Sequence, residues 1–243
     1  MVVSWFSGGV SSAVATMLEI DRVDRVLSIH IDDHHADSAR FEADCATWFR
    51  MRIEALRSAE ASSVEGAIRM GRYINGPAGA QCTRVLKRRV RQVWEQQPEI
   101  VAQMPITYVW GFDCSETRRA ERLQSAMPEF NHGFPLIEQS ISKAEAHEIL
   151  RASGIRRPAM YELGYRNNNC VGCVKGGMGY WNRIRVDFPE VFAARAAMER
   201  ECGATCINGV YLDELDPERG RNEPPIADDC GIMCEVMALG GQG

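Results

Sequence analysis

The sequence predicts an α/β fold: a doubly wound, mainly parallel sheet with helices on both faces, followed by a C-terminal arm that contains cysteines. Three observations carry that expectation. Short runs rich in β-branched and aromatic residues, at 2–6, 25–31 and 106–110, alternate with stretches whose apolar residues recur every three or four positions. Such alternation along one chain belongs to βα units, whose parallel strands need helical crossovers. The composition, 45% hydrophobic and 25% charged over 243 residues, suffices to bury a full core.

The first strand, 2–6, runs directly into Ser7-Gly8-Gly9-Val10-Ser11-Ser12, and residues 13–18 continue as a helix. Strand, glycine turn and hydroxyl-rich helix start make an anion site: the glycines let the backbone approach a phosphate or sulfate ester, and Ser7, Ser11 and Ser12 add donors. A plain βα connection is the alternative, and the spacing matches neither the Walker nor the dinucleotide glycine pattern. The second strand, 25–31, delivers Asp32, Asp33, His34 and His35 to its C-terminal end, where ligands of parallel sheets sit. Asp32 or Asp33 is expected to meet a ribose, an adenine or a magnesium ion. The two histidines fit a solvated capping loop, and His30 fits packing.

Phe41, Cys45, Trp48, Phe49, Ile53 and Leu56 share a helical spacing that predicts one long amphipathic helix, with Cys45 a buried hydrophobe. From 61 to 80 the pattern weakens into a glycine-bearing loop able to cover a site. Cys82 follows, then a helix with Leu86, Val90, Val93 and Trp94 on its apolar face. Arg84 and Lys87 either neutralise a second anionic group or belong to a solvated basic face. After the strand 106–110, Gly111 opens a segment carrying Arg118, Arg119 and Arg122. Arginines one turn apart grip a phosphate or sulfate from one side, unless Glu116 and Glu121 merely pair them on a surface helix. Residues 134–137 make a further strand candidate. Ser142 and Glu145 form a capping box for a helix that contains His147 and stops at Gly154.

No run approaches the roughly 18 apolar residues of a membrane span, and a cleavable leader would remove strand and loop together, so a cytoplasmic protein without membrane contact is expected. In that compartment the nine cysteines are metal ligands, redox groups or core fillers rather than disulfides. Cys170-Val171-Gly172-Cys173, in a Gly/Asn-rich turn followed by Lys175, lets two thiolates converge. Cys82 is the natural third partner and Cys230 or Cys234 a fourth. Spacing alone leaves iron–sulfur, zinc and a redox dithiol open. The net charge of −5 argues against a protein that coats nucleic acid.

The ordered set of motifs resembles the adenine-nucleotide alpha-hydrolase-like (PP-loop) superfamily, and within it the phosphoadenylyl-sulfate (PAPS) reductases. Residues 7–12 resemble the S-G-G-x-x-S pyrophosphate loop. Residues 81–87 are similar to the C-C-x-x-R-K element, 111–122 to T-G-x-R-x-x-E-S-x-R, Pro135-Leu136 to the proline–leucine strand, and 161–173 to the tyrosine stretch ending in C-x-x-C. The resemblance covers most of 1–182. It implies a Rossmann-like domain over 1–182, with 183–243 an arm packing on it. Ser7, Gly8, Gly9, Ser11, Ser12, Asp32, Lys87, Gly111, Arg118 and Arg122 would bind PAPS, adenylyl sulfate or ATP. Cys82, Cys170, Cys173 and Cys234 would hold a [4Fe–4S] cluster, with zinc as the alternative. Cys202 or Cys230 would supply the nucleophile of a thiol-dependent sulfur reduction served by a thioredoxin-like reductant, in a homo-oligomer.

The sequence departs from the family in three places. Val10-Ser11 stand where ATP pyrophosphatases carry an acid, a single cysteine occupies the tandem position, and the reductases' E-C-G-L-H tail is absent, Glu201-Cys202-Gly203 matching only its first letters. Two further functions therefore accompany the first. One is ATP-dependent, cluster-assisted thiolation of nucleic acid, at a tRNA base or a DNA phosphate; the other is a non-catalytic nucleotide-binding or metal-stabilised adaptor.

Overall fold

The computed structural model describes residues 1–76 and 79–221. Its centre is a five-stranded sheet of β1 (Val2–Trp5), β2 (Arg25–Ile29), β3 (Ile53–Leu56), β4 (Thr107–Val109) and β5 (Asn131–Gly133), ordered β3-β2-β1-β4-β5. All four pairings are parallel. That order belongs to Rossmann-like α/β sheets, and its direction of winding reverses between β1 and β4.

The helices are α1 (Val10–Leu18), α2 (Asp37–Phe49), α3 (Val64–Gly71), α4 (Gln81–Thr83), α5 (Arg89–Glu95), α6 (Pro98–Val101), α7 (Thr117–Ala126), α8 (Pro135–Glu138), α9 (Lys143–Ala152), α10 (Ala159–Glu162), α11 (Met178–Asp187) and α12 (Pro189–Cys202). Among the described residues, no helix is long and apolar enough to cross a membrane. The chain forms two compact units. The first comprises Met1–His30, Ala36–Leu56 and Arg91–Leu163; the second comprises Ile31–His35, Arg57–Val90 and, within the described residues, 164–221. The boundary expected at 182/183 falls inside α11.

In the first unit, strand alternation sends successive side chains to opposite faces. Phe6 and Val109 join Val10, Ala13, Val14, Phe41, Phe49, Leu136 and Leu150 in one core. Ser4 Oγ and Thr16 Oγ1, buried at 2.7 Å, satisfy each other beneath α1. On the opposite face Trp5 packs edge-on against Trp94 at 5.9 Å, and Tyr108 lies 4.8 Å from Phe130. The Tyr108 hydroxyl donates to Glu95 (2.6 Å), which also holds Arg91.

Three expectations change. The helix from Phe41 does not reach Leu56: Arg50 takes a left-handed conformation (φ 51°) that ends α2, and Ile53–Leu56 becomes β3. Its apolar spacing continued because an edge strand also buries alternate residues, with Glu54 turned to Arg25. The strand expected at 134–137 is α8, whose Pro135 sits in the first turn, where a missing N–H costs nothing; β5 lies just before it. The loop expected over 61–80 contains α3, capped by the Ser63 side chain accepting from Gly66 N (3.1 Å). The capping box of Ser142 and Glu145 opens α9 as expected.

Asp37, at the start of α2, binds segment 156–159 within the same unit. Its carboxylate accepts from Arg40 (2.6 Å), from Ala159 N (2.8 Å) and from Arg156 (3.2 Å). The Arg40 hydrogen bond, opposed by burial and aided by the Ala159 N–H, holds its pKa below the ordinary value. A depressed carboxylate stabilises the fold above its unfolded-state pKa, and that contribution disappears as pH falls through the folded-state value. Asp37→Asn is expected to cost about 1–2 kcal/mol at neutral pH. In urea titrations the gap from wild type closes as pH drops below about 4.

Candidate functional site

The glycine loop occupies the switch point of the sheet. After β1, Phe6 N donates to Leu27 O (2.8 Å), tying the loop's entrance to β2. Gly8 then takes φ 79°, a left-handed conformation that a side chain disfavours, and Gly9 caps α1 through its extended backbone. Ser12 organises the turn: its Oγ accepts from Ser7 N (3.1 Å) and Ser7 Oγ (3.0 Å) and donates to Gly9 O (2.9 Å). Ser11 and Ser12 are buried, whereas Ser7 is exposed. On the other side of the switch, Gly111 follows β4 so closely that a Cβ there would stand 2.5 Å from Ser12 Cα and N. The ends of β1 and β4 thus enclose the first turn of α1, whose N–H groups lack intrahelical acceptors.

The arginines of α7 divide. Arg119 is buried, with its guanidinium 4.4 Å from the Phe112 ring centroid and bonded to Glu116. Arg118 and Arg122 are exposed, and Arg122 Nε donates to Arg118 O (3.3 Å). Both remain available to an anion. His30, just past β2, is more than packing: its Nε2 lies 2.9 Å from the Glu42 carboxylate.

Asp32 and Asp33 belong to the second unit. Asp32 is exposed and paired with Arg57 at 3.1 Å; hydrogen bonds from Ser62 and Arg57 hold its carboxyl below the usual range. Asp33 is engaged in an ion pair with Arg195.

The cysteine set converges within this unit. Cys82, Cys170 and Cys173 line one small pocket together with Lys87 and the aliphatic side chains of Ile31, Val64, Leu86 and Val174. A π-helical turn, Arg84–Arg88, follows Cys82, and its wider winding buries Val85, Leu86 and Lys87 in succession. Lys87, read from sequence as a phosphate ligand, is only 8% exposed and lines the same pocket as the cysteines.

The C-x-x-C turn is held from several sides. Gly172 takes φ 70° and presses against Val191 and Arg195, with 2.5 Å between a notional Cβ and Val191 Cγ1. Tyr180 spans the turn, its hydroxyl accepting from Cys173 N (2.9 Å) and donating to Cys170 O (3.3 Å). Burial pushes that phenol well above its ordinary pKa, which keeps the donor proton in place.

The tail thiols differ. Cys202 closes α12, and burial together with Glu201 raises its pKa, the opposite of the activation a nucleophile needs. Cys206 is buried, and its thiol is also pushed up by burial and by Glu199. Glu199, fully buried, accepts from Cys206 N (2.5 Å) and Leu212 N (2.6 Å). Burial raises its pKa against those two bonds. Cys230 and Cys234 lie outside the described residues.

Among the described residues, no three His, Cys, Asp or Glu side chains stand together closely enough to hold a metal ion. One zinc ion would draw four ligand atoms to about 2.0–2.3 Å of a single point. A four-iron cluster spreads its thiolates, each on a different iron. Cys82, Cys170 and Cys173 share one small pocket, and thiolates are donors that either group takes. Compared with known proteins, the chain matches no family model and no curated protein.

Proposed function

We propose that this chain is an enzyme of the PAPS reductase type, which binds an adenylated sulfur compound at the Ser7–Ser12 loop and reduces its sulfur in a thiol-dependent reaction. The convergence of Cys82, Cys170, Cys173 and the buried Lys87 on one pocket carries this reading. In it the fold is of the adenine-nucleotide alpha-hydrolase type, the chain beyond 182 is an arm bearing further cysteines, and the protein works in the cytoplasm as a homo-oligomer. A [4Fe–4S] cluster on the three cysteines, its fourth position filled by Cys234 or from elsewhere, would supply irons able to polarise a sulfur ligand.

The remaining chemistry belongs to the chain. Backbone N–H groups at the start of α1, ordered by Ser12, bind the anionic end of the adenylyl compound. Arg118 and Arg122 serve its other anions, and Gly111 keeps the binding turn closed. A tail thiolate attacks sulfur, forming an S–S bond while the bond from sulfur to the bridging oxygen breaks and the nucleotide leaves with that oxygen. A thioredoxin-like dithiol then attacks the thiosulfonate, releasing sulfite and becoming a disulfide.

The raised pKa of Cys202 favours a second reading, in which ATP activates a tRNA base or DNA phosphate and the cluster delivers sulfur without a tail nucleophile. Protein purified anaerobically and given PAPS or adenylyl sulfate with a dithiol reductant is expected to release sulfite. Pyrophosphate release with ATP and nucleic acid, without sulfite, would transfer the assignment to thiolation. Nucleotide binding without turnover would make the chain an adaptor.

A further inference from the structure

We propose that the Arg195–Asp33 pair is a positioning device that fixes the Cys170–Cys173 turn and so sets the direction of its two sulfurs. Arg195 is 3% exposed, and its two ends reach different things. One nitrogen pairs with Asp33 Oδ1, while Nε donates to Gly172 O (3.3 Å) in the middle of the turn. Asp33 completes the frame: its carbonyl accepts from Val171 N (2.8 Å), and its Oδ2 accepts from Val64 N (2.6 Å), the residue that also walls the cysteine pocket. Of the turn's two central residues, Gly172 is held by the Arg195 side chain and Val171 by the main chain of Asp33.

Removing two charges from water is costly, and a buried pair by itself is weak evidence of stabilisation. What distinguishes this pair is where its remaining hydrogen bonds go. They end on the backbone between two cysteines and on the first residue of α3, not on unrelated surface. Groups that orient metal-ligating side chains from behind act in this way, and their loss disturbs the ligand set more than the fold. The proposal rests on the pocket being the cluster site, but the geometry of the turn can be read without metal.

The test uses the full chain in two arms. In metal-free, reduced protein, alkylation of each cysteine is followed by mass spectrometry. Arg195→Gln and Asp33→Asn are each expected to speed labelling of Cys170 and Cys173 by about tenfold through local opening, with Cys82 changing less than about twofold. The double variant should add little to either single change, because the two residues act as one unit. Arg195→Lys keeps the charge but loses the second reach, so an intermediate rate is expected. Ile184→Val, in the core of α11, provides a general loosening for comparison.

In the second arm, each protein is reconstituted anaerobically with iron and sulfide and reduced with dithionite to the paramagnetic state. Arg195→Gln is expected to take up iron while its electron paramagnetic resonance spectrum shifts from wild type. Unchanged labelling, equal acceleration at all three cysteines, or a rise matched by Ile184→Val would overturn the proposal, as would an unchanged spectrum at full iron loading. If wild type takes up no iron, the cluster reading fails by itself and the labelling arm alone decides the role of Arg195.

Discussion

Cys170→Ser is expected to reduce bound iron from about four atoms per chain to less than one after anaerobic purification. Serine fills nearly the same volume, so the 5%-exposed site does not collapse, but a hydroxyl does not deprotonate to become a ligand at neutral pH. Cys82→Ser and Cys173→Ser should behave alike, because the three sulfurs reach the pocket from two distant segments and the loss of any one leaves an incomplete set. Cys45→Ser tests whether any thiol loss would do the same. Cys45 is fully buried in the first unit, and burial drives its thiol pKa far up, so its replacement should leave the iron content unchanged. Iron and acid-labile sulfide assays, with visible spectra, read all four variants. One zinc per wild-type chain, lost equally in the three pocket variants, would replace the cluster with a structural metal site.

The parts of this architecture that were legible in the sequence are those governed by neighbours along the chain. Residues 7–12 announced their turn because two glycines follow an apolar run directly, and Ser142 announced α9 because a capping box spans only four residues. Cys82 was paired with Cys170 and Cys173 by the order of motifs, which survives whatever lies between them. Other features depend on contacts that no local pattern encodes. Asp33 and Arg195 are 162 positions apart, and Arg195 sits in a helix whose alanines and charges show no clear face. Lys87 stands one turn before Val90 and two before Trp94, so a helical wheel leaves it at the margin of the apolar face, and its burial in a π-helical turn is set by what packs on it. Ile53 looked helical because an edge strand and a helix can bury the same two residues of a short window. Asn131-His132-Gly133 has little strand propensity of its own and is extended because β4 supplies a parallel partner.

Gly111→Ala should weaken adenine-nucleotide binding by at least about a hundredfold, a loss of roughly 2.7 kcal/mol, and destabilise the fold by about 3 kcal/mol. The new methyl group would lie 2.5 Å from Ser12 Cα and N and 2.9 Å from Ser11 C. All three are backbone atoms, so no side-chain rotation relieves the clash, and the start of α1 has to move away from the end of β4. That movement pulls Ser12 from Ser7 and Gly9 and disorganises the N–H groups that receive the ligand. Two alanine variants separate steric closure from general glycine effects. Gly154→Ala meets no atom within 4 Å but adopts φ 79°, so it should cost about 1 kcal/mol and leave binding intact. Ser12→Ala introduces no clash and removes only the hydroxyl, so it should weaken binding with a stability loss near 1 kcal/mol. Denaturant titration and calorimetry with adenylyl sulfate read both quantities. If Gly111→Ala folds and binds like wild type, the close approach of β4 to α1 does not shape the site. If Ser12→Ala also binds normally, the ligand does not use this turn, because the two changes disturb the same N–H groups by unrelated means.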